Sequence, residues 1–144
     1  MSSRTGDDWL ELLAELVGHA SPRVRLQAHR LLRAGDRGRY LSSALGLLDD
    51  PDPNIQRTAI RAVSHARYAP AVAPLIARLA HERDPLHREL VAALRRLGPL
   101  AEDALVRAAR EARPDRRRHF EAVLTAIAAN VAAGEPPEDL AEDD

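Results

Sequence analysis

Residues 52–63 read DPNIQRTAIRAV: an acid, a proline, then good helix formers whose apolar members fall at helical spacing. Similar stretches recur as SPRVRLQAHRLL from Ser21, DPLHRELVAALRRL from Asp84 and RPDRRRHFEAVL from Arg113. The prolines at their heads, Pro22, Pro53, Pro85 and Pro114, stand 31, 32 and 29 residues apart. Such a period is too long for one helix and suits a helix pair with two short turns. Proline is tolerated at the first helical position, where its missing N–H would have had no intrahelical acceptor. Ser21, Asp52 and Asp84 precede it and are placed to cap free amides of the first turn. Each motif therefore reads as the start of a helix, four times over.

Counting from each proline, positions +6, +9 and +10 hold Ala28, Leu31 and Leu32, then Ala59, Ala62 and Val63, then Val91, Leu94 and Arg95, then Phe120, Val123 and Leu124. At 100° per residue these offsets form one stripe that must be buried. Between the motifs, WLELLAELV, RYLSSALGLL, PAVAPLIARLA and PLAEDALVRAARE repeat Leu, Val or Ile at i, i+3 and i+4. Pro70 and Pro99 mark further helix starts, Gly35 and Gly98 mark ends, and Pro74 falls in a first turn where it is tolerated. No segment alternates as a half-buried strand does. The pattern predicts an all-α chain of eight helices in four antiparallel pairs, stacked as a right-handed α-solenoid. Repeats are expected at about 7–35, 36–66, 69–98 and 99–132, within a domain spanning 1–133.

Asp-Pro, an apolar residue two further on, Arg at +3, Ala at +6 and Leu near +9 resemble the HEAT repeat. The period is similar to that of the short HEAT-like repeats of phycobilisome lyases. SPRVRLQAHRLLRAG, Ser21 to Gly35, is the nearest match and DPNIQRTAIRAV follows it. The third copy has His87 at the apolar position; the fourth has Arg113 for the acid and Arg116 for the apolar residue. The resemblance covers roughly residues 8–132. It implies a fold in which the proline-headed second helices line a concave surface.

The chain has 144 residues, 45% hydrophobic, 30% charged and only 3% aromatic, so its core is built from Leu, Val, Ile and Ala. No apolar run approaches the roughly 20 residues of a membrane span. MSSRTGDDWLELL carries an early acidic pair and predicts no signal peptide. Without cysteine there is no disulfide framework and no thiolate chemistry. These features point to a cytoplasmic protein with no membrane partner. All 21 basic residues are arginine. The last ten residues, EPPEDLAEDD, hold six of the 22 acids, so residues 1–134 carry 21 bases against 16 acids, a charge of +5. The segment 134–144 is thus an acidic tail with too little apolar surface to fold alone. It reads either as a solubilising end or as a tethered competitor for basic side chains.

Chemistry finds little to work with. His81-Glu82 begins like a zinc-protease HExxH motif, but the next histidine, His87, is six residues away rather than four. Ser64 and His65 are neighbours on a helix and point in different directions, a poor nucleophile–base pair. There is no glycine-rich phosphate loop. Asp7-Asp8, Asp49-Asp50 and Glu102-Asp103 fall at helix ends, where capping and the helix dipole account for them. Trp9 reads as a lid over the open end of the core. No catalytic residue, metal or cofactor is expected, and the chain reads as a non-enzyme.

Opposite the buried stripe lie positions +1, +4, +8 and +11. They hold Arg23, Leu26, Arg30 and Arg33, then Asn54, Arg57, Arg61 and Ser64, then Leu86, Glu89, Ala93 and Arg96, then Asp115, Arg118, Ala122 and Thr125. The resemblance makes this the concave face, and Arg23, Arg30, Arg33, Arg57, Arg61, Arg96 and Arg118 its candidate protein-binding residues. Acids are few there although acids and bases nearly balance overall. The leading reading is an adaptor or scaffold whose arginine-rich groove receives an acidic segment or surface of another protein through bidentate carboxylate contacts. Nucleic-acid binding is the alternative, because some HEAT-like proteins are DNA glycosylases that cradle duplex DNA. That class calls for more positive charge and for stacking aromatics. A bilin lyase-like activity is third, implied by the repeat type alone. The sequence leaves the oligomeric state open.

Overall fold

The computed structural model describes residues 2–81 and 84–134, with side chains from residue 8 onward. The expected acidic tail, beyond Gly134, and Glu82 of the His81-Glu82 pair lie outside the described residues. Eight α-helices follow one another, with no strand among the described residues: α1 (Ser2–Leu16), α2 (Pro22–Gly35), α3 (Arg37–Leu47), α4 (Pro53–His65), α5 (Val72–Leu79), α6 (His87–Leu97), α7 (Pro99–Glu111) and α8 (Pro114–Ala133). The architecture is the all-α solenoid type that the repeated motif predicts. The chain divides into two compact units, residues 1–59 and 60–144, with the boundary inside α4.

In the first unit the amphipathic face of α2 supplies Ala28 and Leu32, which cluster with Leu13 of α1; Leu10, Leu16, Val17 and Tyr40 pack around them. α2 starts as the sequence predicts, with Pro22 in its first turn and the Ser21 hydroxyl accepting from the Val24 amide. Its end is handled differently from expectation. Gly35 has no left-handed backbone; instead Asp36, in an extended conformation, closes α2 and opens α3. Its amide bonds the Leu32 carbonyl while its carboxylate accepts from the Arg39 amide. A Cβ at Gly35 would stand 2.7 Å from Leu10 Cδ2, so any larger residue there obliges the Leu10 side chain to turn aside. Trp9, expected as a lid, is 54% exposed.

Arg25, the arginine at +3 of the first motif, is buried and reaches out of α2 in two directions. Its Nε and Nη2 donate to the two carboxylate oxygens of Asp50 at 2.8 and 2.9 Å. Its Nη1 donates to the carbonyls of His19 and Ala20, both at 2.9 Å. Asp50 also accepts the Asp52 amide at 2.8 Å, which shapes the turn into α4. Thus Asp50 is more than a helix-end charge, and its neighbour Asp49 is the exposed member of the pair.

The second unit is built on α5 to α8 with the last turns of α4, around Leu75, Leu79, Leu90, Leu94, Leu105 and Phe120. Pro70 starts a 3-10 turn over Ala69–Ala71 that leads into α5, and Pro74 sits in the first turn of that helix. The third motif departs from expectation twice: its apolar stripe falls one residue early and its helix starts two residues late. α6 begins at His87, with Leu86 at the N-cap, rather than at Pro85. Asp84 explains the shift: its carboxylate accepts the Leu86 amide at 2.9 Å and a fork from Arg78 at 2.7 and 3.0 Å. Consequently Leu86 and Ala93, expected on the exposed face, are buried, and Arg95, expected inside, is exposed.

In the fourth motif Arg116 occupies the apolar position and is nonetheless buried, donating from Nη2 to the carbonyls of Leu79 (3.0 Å) and His81 (3.3 Å). Arg117 donates to the carbonyls of Ala109 and Ala112, satisfying the end of α7.

A single residue, Gly98, joins α6 to α7 at φ 57° and ψ −129°, a conformation strained for any residue with a Cβ. An added Cβ would meet nothing closer than the Arg95 carbonyl at 3.7 Å, so the cost of substitution is conformational and not steric. Gly98→Ala is expected to lower stability by about 1–3 kcal/mol, read as a lower urea midpoint with an unchanged slope.

Candidate protein-binding surface

The side of the proline-headed helices that faces away from each core carries the candidate arginines. In the first unit α2 presents Arg23, Arg30 and Arg33, all exposed, and α4 adds Arg57, half-buried. Arg57 donates to the Asn54 side-chain oxygen at 3.0 Å, tying together two positions of the predicted face. In the second unit Arg61 of α4 and Arg118 of α8 are exposed, whereas Arg96 of α6 is half-buried. Arg96 donates from Nη1 to the Ser64 hydroxyl at 3.0 Å. Ser64 and Arg96 both stand at +11 of their motifs, so equivalent positions of successive copies meet. Ser64 is itself buried and donates to the Arg61 carbonyl.

Among the described residues Arg23, Arg30, Arg33, Arg61 and Arg118 have no hydrogen-bond or ion-pair partner. The acids of the predicted face are Glu89, half-buried, and Asp115, which lies 3.7 Å from Arg113. The positive field of these arginines registers on nearby histidines. His29 is held at about pH 4 for protonation, first by burial and then by the charges of Arg30 and Arg33. His119, edge-on to His87 at 5.8 Å, is lowered by burial and then by Arg116, His87 and Arg118, with Asp115 opposing.

Sequence reasoning missed Arg95, which the one-residue shift of α6 turns outward beside Arg96. A signal was present: Leu86, Leu90, Leu94 and Leu97 follow one another at spacings of four, four and three, a complete apolar stripe one step earlier than the proline count predicts. Among the described residues no group of three or more His, Asp or Glu side chains is placed to hold a metal ion. No described helix is long and apolar enough to cross a membrane.

Helices repeating at a period of about 30 residues, most of the second ones headed by proline, with Ser64 and Arg96 meeting at equivalent positions of two copies, define a helical-repeat protein. The family of HEAT repeats matches residues 9–95, and the chain belongs to it. No curated protein and no solved structure matches the chain.

Proposed function

We propose that this protein is a non-catalytic interaction module that holds an acidic segment or surface of another protein against the arginines of its second helices. HEAT repeats generally mediate protein–protein interaction, and their fold is typically non-catalytic. The observation that carries the finer reading is that Arg23, Arg30 and Arg33 in the first unit, and Arg61 and Arg118 in the second, are exposed and have no hydrogen-bond or ion-pair partner among the described residues, while the predicted positions hold only two acids, Glu89 and Asp115. Surface arginines are ordinarily interspersed with acids, and a face of one sign raises the local concentration of the opposite charge. A guanidinium fork matches a carboxylate with two parallel hydrogen bonds, so Asp and Glu side chains are its natural ligands.

The test is affinity capture from the native source with mass spectrometry, using the wild-type chain and the triple variant Arg30→Glu, Arg57→Glu, Arg61→Glu in parallel. The captured protein is expected to bind through an acidic stretch, to weaken as salt rises, and to be lost by the triple variant at unchanged helical content and melting. Capture that survives the reversal, or recovery of nucleic acid in place of protein, sinks the reading.

A further inference from the structure

The first unit carries on α1 the chemical counterpart of its own arginine surface. Asp8, Glu11 and Glu15 are exposed on that helix with no hydrogen-bond or ion-pair partner among the described residues, and no arginine stands among its described side chains. Trp9 and Leu12 are exposed beside them. We propose that this acidic and apolar face of α1 docks against the Arg23 and Arg30 face of α2 in a second copy of the chain, a twofold dimer making the contact twice. The inference rests on the reading of these arginines as an acid-binding surface and names one acidic partner for them.

Three observations converge. The first is sign: α2 contains no acid, and its exposed Arg23, Arg30 and Arg33 have no partner among the described residues. Although α1 and α2 pack on each other through Leu13, Ala28 and Leu32, no described ion pair joins these acids to these arginines within one chain. The second is register. Asp8-Trp9 and Glu15-Leu16 stand seven residues apart on α1, and Arg23-Val24 and Arg30-Leu31 stand seven apart on α2. Seven residues make two turns and about 10.5 Å of rise. Two acids of one helix are therefore spaced to meet two arginines of the other, with an apolar residue flanking each charge. Paired helices choose partners by that arrangement, an apolar seam bordered by charges of opposite sign. The third is exposure. Among the described residues of the first unit the exposed large hydrophobics are Trp9, Leu12 and Leu31, and all three lie on these two helices. A lone exposed leucine is ordinary; a tryptophan and two leucines beside charges of one sign are what an interface covers.

Sedimentation equilibrium of the full chain reads the outcome, with the emission of Trp9, the chain's one tryptophan, as an independent report. A dimer is expected that loosens on dilution and with added salt, its Trp9 emission moving to the red as the ring becomes wet. Glu15→Arg and Arg30→Glu each enter the dimer twice, so each is expected to weaken it about hundredfold, tenfold per contact. An equimolar mixture of the two variant chains is expected to restore association, because the mixed dimer holds one contact with both charges exchanged and one contact unchanged. Arg107→Glu, at an exposed arginine of α7, is expected to associate as the wild type does. A chain that stays monomeric up to about millimolar concentration, a reversal that leaves the dimer intact, or a mixture that does not re-associate overturns the contact. Capture of an outside acidic protein by a monomeric chain sinks the second copy as partner and leaves the proposed surface standing. Re-association of the mixture, beside outside capture that survives the Arg30, Arg57 and Arg61 reversal, upholds the dimer and sinks the wider surface alone.

Discussion

Asp50→Ala is expected to lower the melting temperature by on the order of 10 °C, the largest effect of any single polar substitution in the first unit. The substitution strips Arg25 of both carboxylate bonds and leaves a buried guanidinium with only the carbonyls of His19 and Ala20. It also frees the Asp52 amide that shapes the turn into α4. A buried charge without its partner costs far more than the intact pair contributes, because desolvation is no longer offset. Burial by itself raises the pKa of Asp50, but the Arg25 hydrogen bonds, the Asp52 amide and the Arg25 charge outweigh it and hold the carboxyl below its usual range. The bridge is therefore intact at neutral pH and is lost as pH falls below the ordinary carboxylate range, near 3.8 and downward. Replacing both partners by apolar residues, Arg25→Met with Asp50→Leu, should come closer to wild type than either single loss. A double variant no more stable than Asp50→Ala would show that the bridge does more than cancel its own burial.

A second large effect is expected at milder acidity, from His29. This ring is 1% exposed and stacks on Tyr40 with centroids 4.5 Å apart. The Ser43 hydroxyl gives its proton to the Tyr40 carbonyl, so it accepts from His29 Nδ1 at 2.8 Å. That fixes the neutral tautomer with its proton on Nδ1 and leaves Nε2 without a partner among the described residues. From its own helix Arg30 and Arg33 oppose a positive charge; from α3 the facing groups are Tyr40 and Ser43, neither an acid. The folded pKa is about 4, against an ordinary histidine value of 6.5. Between these two values the unfolded chain binds a proton that the folded chain refuses. Stability is thus complete above pH 6.5 and falls as pH drops toward 4, by about 1.4 kcal/mol per pH unit and about 3 kcal/mol in all. Urea midpoints across that range read the slope directly. His29→Phe keeps the stacked ring and removes the titration, so its slope should be smaller by about one proton. His119, also lowered, supplies part of the remainder. A variant whose slope matches wild type would refute the assignment.

The helices were legible because proline and apolar spacing are local signals. Pro22, Pro53, Pro99 and Pro114 all begin helices, and Ala28, Leu32, Ala59, Val63, Phe120 and Val123 all point inward. Leu31, at 40% exposed, and Arg95 do not, while Ala62, Val91 and Leu124 are only half-buried. What escaped was tertiary. Pro85 looks like its counterparts, yet the Asp84 carboxylate, engaged by Arg78, takes the Leu86 amide and delays the helix by two residues. Nothing local announces that Arg78 will be there. Arg116 likewise breaks the apolar pattern, and only the backbone oxygens brought to it by α5 and the following turn make it a core residue. The arginines of the candidate surface were easier to find, since exposure opposite a buried stripe follows from helical geometry.

The grip of Arg116 on the carbonyls of Leu79 and His81 bears on how such a protein tolerates change over generations. An arginine that grasps another side chain, as Arg25 grasps Asp50, obliges the two codons to vary together. An arginine that grasps backbone oxygen does not, for every amino acid offers the same carbonyl. Positions 79 and 81 are free, as far as this contact goes, to accept any residue that keeps the path of the chain. The fourth copy is thereby held in place while the turn it grips can be rewritten, one position at a time.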